Sequence, residues 1–137
     1  LPRWRAVLRS LDSRCARRWW VGAFSKEALV LNIYPVVIEF IAALRPLLSQ
    51  IERRDRDLGR QLRRASSSVA LNLAEGMYSR GELRTARYHT ALGSMRESQS
   101  CLEVAEAFGY VRAMEPHFVR QVNRIIGTLV RLVEGKR

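Results

Sequence analysis

Lysine is almost missing from this chain. Only Lys26 and Lys136 carry ammonium groups, and the other 22 of its 24 cations are arginines, set against 13 Asp+Glu for a formal net charge of +11. Cysteine and histidine are equally scarce. Cys15 and Cys101 cannot build a disulfide framework, and His89 and His117 offer neither zinc-ligand spacing nor the paired Glu-x-x-His of di-iron bundles. These counts predict a reducing, cytoplasmic setting, with no metal and no other cofactor. With 8 Gly and 4 Pro, collagen-like and low-complexity classes are excluded. No unbroken apolar run reaches the ~18 to 20 residues of a membrane helix, so no membrane span is expected. A Walker lysine loop and a dinucleotide-binding glycine pattern are both missing, and Glu97 and Glu103 make no evident acid–base pair. The expectation is a non-enzyme without a small-molecule substrate.

What is present is enough for one packed domain: 137 residues, 47% of them apolar, rule out a disordered basic tail as the whole chain. The charge is unevenly spread. Residues 1–25 hold six arginines against Asp12 alone, a net +5, together with all three tryptophans, Trp4, Trp19 and Trp20; residues 26–137 carry the remaining +6. Trp4, Leu8, Leu11 and Cys15 fall at helical spacing, which would suit a membrane surface, an RNA backbone or a partner groove. Without a continuous apolar stretch the segment is a poor secretory signal. It is read as a basic N-terminal extension, disordered or artefactual, outside the domain at 26–137.

From Lys26 onward four segments repeat their apolar residues with helical period. The first uses Val30, Ile33, Val37, Phe40, Leu44, Leu47 and Ile51, with Pro35 and Pro46 expected to kink or bend it. The second uses Leu58, Leu62, Ala65, Val69 and Leu73, and Gly76 reads as its C-terminal stop. The third runs from about Glu82 to Phe108 through Tyr88, Ala91, Met95, Leu102 and Ala105. The fourth opens after Pro116 with Phe118, Val122, Ile125, Leu129 and Leu132. No alternating strand pattern occurs. Short connections, Ser79 to Gly81 and Tyr110 to Pro116, predict an all-α, antiparallel up-down four-helix bundle.

On the second helix, Arg53, Arg56, Arg60, Arg63 and Arg64 follow steps of three, four, three and one. At ~100° per residue they cluster within about a quarter-turn, opposite the apolar face, with Asp55 and Asp57 diluting them at one end. Arg80, Arg84 and Arg87 extend the positive region. Guanidinium forks pair two phosphate oxygens at once, so this stripe suits a nucleic-acid backbone; a solvated helix face is the other reading. No base-reading motif accompanies it, which leaves backbone or shape as the thing recognised. Asn72 projects with Leu62 and Val69, so its amide needs a partner, a neighbouring backbone or a side chain such as Ser94.

The run from Gln61 to Val69, QLRRASSSV, continued by Asn72-Leu73-Ala74-Glu75-Gly76, resembles the signature of the four-helix-bundle proteins encoded in 23S ribosomal RNA intervening sequences. Tyr88 to Glu97, with Gly93, Ser94 and Glu97, is similar to that family's second block, and Phe108-Gly109-Tyr110 loosely matches its helix-ending Leu-Gly-Tyr. The likeness spans about Leu31 to Leu132. Leu73 replaces the usual Ile, and Phe108 stands where Leu is common. The resemblance implies an antiparallel bundle assembled into a ring-like homo-oligomer, often a pentamer, with suspected RNA or DNA binding. Related bundles are accessory proteins of diversity-generating retroelements that bind the reverse transcriptase, so a docking scaffold for that enzyme, or an oligomer without nucleic-acid ligand, stands as the alternative. Asn72, Glu75 and Gly76 belong to the signature. Glu75, near a helix C-terminus, opposes the helix dipole and calls for an arginine partner, Arg64, Arg80 or Arg96.

Overall fold

A computed structural model describes residues 26–135, with side chains from residue 32 onward. The extension at 1–25, with its tryptophans and six arginines, lies outside the described residues. The described residues form four helices: α1 (Lys26–Arg54), α2 (Arg56–Tyr78), α3 (Gly81–Ala107) and α4 (Pro116–Glu134). No strand occurs among the described residues. The principal packing runs from α1 to α2, α2 to α3, α3 to α4 and α4 back to α1, which encloses one core.

Most of the residues whose period marked the helices make that core; Leu58 is only partly buried, and the side chain of Val30 lies outside the described residues. Val37, Phe40, Leu44 and Ile51 of α1 are completely buried, as are Leu62, Val69 and Leu73 of α2. Tyr88, Ala91, Met95 and Ala105 of α3 meet Ile125, Leu129 and Leu132 of α4 in the same cluster. In α1, Leu48 is buried and Leu47 is only partly so, a shift of one position from the expected seam. Phe40 and Phe118 join α1 to α4 with ring centroids 5.5 Å apart, and Gln121 Nε2 donates to the Val36 carbonyl at 3.4 Å. By length and composition alone, Asn32–Arg54 is apolar enough to cross a membrane although no run in it is unbroken. A core helix has the same property, and this one supplies Ile33, Val37, Phe40, Leu44, Leu48 and Ile51 to the core.

The helix ends have local causes. Asp55, read from sequence only as a diluting charge, is the N-cap of α2: its Oδ1 accepts from the Leu58 N–H at 2.9 Å. α1 and α2 therefore part at a single residue. Gly59 lets that corner close, because a Cβ there would overlap the Glu52 side chain and stand 3.3 Å from the Glu52 Cα. Pro35 and Pro46 lie within α1, which continues through both.

Gly76 does not stop α2, which continues two residues further to Tyr78. Its role is close packing: a Cβ on Gly76 would lie 2.8 Å from Tyr88 Cδ1 and nearer still to Cε1. Termination belongs to Ser79, whose N–H reaches the carbonyls of Glu75 at 3.1 Å and Gly76 at 3.3 Å, and whose Oγ donates to Glu75 O at 2.8 Å. Gly81, with φ +56°, then opens α3.

Candidate nucleic-acid interface

The α2 arginines emerge on the solvent side. Arg53 does not share a helix with the others as the spacing suggested: it lies in the last turn of α1, because Asp55 caps α2 two residues later. Arg53 and the α2 residues Arg56, Arg60, Arg63 and Arg64 are all exposed. They divide by partner. Arg53 Nε donates to the Ser49 carbonyl at 3.2 Å; Arg60 stands 3.5 Å from Asp57; Arg63 makes a 2.7 Å ion pair with Glu52 across the α1–α2 corner. Arg56 and Arg64 form no hydrogen bond or ion pair among the described residues.

Beside this stripe, α2 and α3 enclose an open groove of about 800 Å³. Arg60, Arg63 and Arg64 line it from α2 and Arg87 from α3, and Asp57, Glu75 and Glu97 share it. Arg53, Arg56, Arg80 and Arg84 stand outside. Dilution of the positive charge is thus spread along the groove and its rim, by Glu52, Glu75 and Glu97 as well as Asp57, and is not confined to one end as the sequence suggested. The reason is tertiary: these carboxylates come from neighbouring turns and a neighbouring helix.

The groove floor is a polar network. Asn72 Nδ2 donates to Ser68 O at 2.9 Å and to Ser68 Oγ at 3.1 Å, and Ser68 Oγ shares a 2.8 Å hydrogen bond with Ser94 Oγ on α3. Asn72 therefore reaches Ser94 at one remove, and it is half-buried rather than inside the core. Arg87 NH1 donates to Asn72 Oδ1 at 3.5 Å and pairs with Glu75 Oε2 at 3.0 Å. Glu75 thus has its arginine, and it is Arg87, not Arg64, Arg80 or Arg96; Arg87 is the residue that α3 carries level with Glu75. Gln61 Nε2 donates to Glu97 Oε1 at 3.2 Å nearer the other end. Arg84 turns away and donates to Ser79 O at 2.7 Å.

Two signature residues part company. Gly76 is buried against Tyr88, whereas Gly93 is exposed with nothing within 4 Å of a Cβ position, so packing within the chain does not require it. Among the described residues no group of His, Cys, Asp and Glu could hold a metal ion, and His89 and His117 are both exposed. Cys101 is a buried free thiol; desolvation, and secondarily the Glu97 carboxylate, push its pKa up, which keeps it protonated and unreactive.

Chemically the groove and stripe can hold anions. Exposed ion pairs such as Arg60–Asp57 contribute only ~0 to 1 kcal/mol, so a phosphate can replace the carboxylate, and Arg56 and Arg64 are free to bind at once. The signals missed in the sequence were the partners Glu52 and Arg87 and the tight glycine Gly59. No spacing within one helix carries these pairings, which depend on how neighbouring helices stand level.

A family model described as 23S rRNA-intervening sequence protein matches residues 30–130. Comparison with curated proteins gives no match, and neither does comparison with solved structures.

Proposed function

Because the chain belongs to the 23S rRNA-intervening sequence protein family, we propose that it is a non-enzymatic, homo-oligomeric bundle that binds the RNA or DNA backbone through the arginine face of α2. One observation carries this reading: Arg56, Arg60 and Arg64 are exposed on one helix face, and Arg56 and Arg64 have no competing anion. The family's description, which ties it to a ribosomal RNA sequence, supports it.

The bundle is antiparallel and up-down. Contacts between α2 and α3 support this, since residue numbers fall on α3 as they rise on α2: Gln61 with Glu97, Ser68 with Ser94, Asn72 with Arg87. So does the single-residue link at Asp55. Assembly into a ring, a pentamer by resemblance, repeats the arginine face and turns a modest site into a multivalent one.

Light scattering tests the assembly: a particle of about five 15.8 kDa chains is expected, and a 15.8 kDa monomer contradicts it. Titration with RNA or DNA, single-stranded and duplex, tests the ligand. Binding at ~0.1 M salt that weakens steeply as salt rises is expected, and no binding of either form at that salt refutes the reading.

A further inference from the structure

At the far end of α3 the chain turns a corner that displays an aromatic ring. Phe108 is 67% exposed, an unusual position for a phenylalanine. Its ring lies nearly parallel to that of Tyr110, with centroids 5.4 Å apart and planes 18° apart. Tyr110 is half-buried and packed against the core, so the pair is anchored from beneath.

The backbone fixes the pair as well. Tyr110 N–H reaches back to Ala105 O at 2.8 Å, and Gly109 N–H to Glu106 O at 2.9 Å. With Gly109 at φ +72°, these two bonds form the 6→1 and 5→2 closure of a Schellman helix end. One face of Phe108 is therefore held outward without loop entropy to lose.

The corner also has cations at its end of the bundle. Contacts such as Gln61 with Glu97 set the level of α3 against α2; beyond them α2 runs back to Arg56, with Arg53 and Arg54 closing α1, while α3 runs on to Phe108. All three arginines are exposed, and so is Arg112 just past the corner. An exposed aromatic face at the same end of a bundle as exposed cations suits single-strand recognition, because unpaired bases offer a π face that a duplex keeps stacked inside.

We propose that Phe108, backed by Tyr110, is a base-stacking platform, and that the nucleic acid bound by this chain is single-stranded at this end of the bundle. This rests on the arginine-face reading and adds the class of nucleic acid to it. A duplex would engage the arginines and leave Phe108 unused.

The test is fluorescence anisotropy with a labelled mixed-sequence single strand of about 20 nucleotides and with its duplex. Phe108→Ala weakens single-strand binding about tenfold and duplex binding less than about twofold. Phe108→Trp restores it, and Phe108→Leu, apolar but without a π face, does not. Equal losses on both probes, or none on the single strand, overturn the platform while leaving the arginine reading intact. A change in particle mass on Phe108→Ala also overturns it, by identifying the ring as a contact between copies of the chain. If the unaltered protein binds neither probe, both readings fall.

Discussion

Arg87 of α3 stands 3.0 Å from Glu75 of α2 and donates to Asn72 from the same nitrogen at 3.5 Å, so one guanidinium group ties two signature residues to the opposite wall of the groove. Both partners are partly exposed, at 42% and 53%, which limits the pair to about 0.5 to 1 kcal/mol. Glu75→Gln should lower stability by that amount, and the loss should shrink at ~1 M salt as screening takes over. A double-mutant cycle with Arg87→Gln isolates the coupling. Zero coupling, with unchanged oligomer mass, would remove Glu75 from any account of the fold.

Two signature glycines should respond in opposite directions. Gly76→Ala drives a methyl into the buried Tyr88 ring, and overpacking of this kind costs about 1 to 3 kcal/mol. Gly93→Ala meets open space, and an exposed helical glycine is replaced by a better helix former, worth up to about 1 kcal/mol of added stability in the single chain. Denaturant melts of both variants check this. If Gly93→Ala instead reduces particle mass, a neighbouring subunit's backbone lies against that position.

Helix periodicity carried most of the fold because each core side chain answers to one spacing rule. Phe118, Val122, Ile125, Leu129 and Leu132 were all legible this way, and every one is buried. Matching over residues 30–130 agrees with the likeness read from QLRRASSSV and its two companion blocks. The site was less legible. Exposure of the α2 arginines followed from the helix's own geometry, but Glu52 opposite Arg63 and Arg87 opposite Glu75 depend on how helices stand level with one another, which no single-helix pattern contains. Gly76 misled for a related reason: glycine signals both a helix end and a close approach, and only the Tyr88 ring decides between them.

Cys101 supplies a pH prediction. Burial, and then Glu97, raise its folded pKa, so above the ordinary thiol value of about 8.5 the unfolded chain loses a proton that the folded chain keeps. Stability from this source is complete below that pH and falls as pH rises through it. Melting curves from pH 7 to 10 should decline less steeply for Cys101→Ala than for the unaltered chain. Parallel curves would contradict the assignment.

The central claim is that the arginine face of α2 neutralises nucleic-acid phosphates, and the salt dependence of binding tests it most directly. Affinity for a single strand and for its duplex is measured across salt for the unaltered protein and for the Arg56→Ala, Arg60→Ala, Arg64→Ala triple variant. Each phosphate contact contributes about −0.9 to the log–log slope. The account predicts a steep slope that becomes shallower by about two to three in the variant, with weaker binding at every salt. A slope near zero, or one that the triple substitution leaves unchanged, would contradict it.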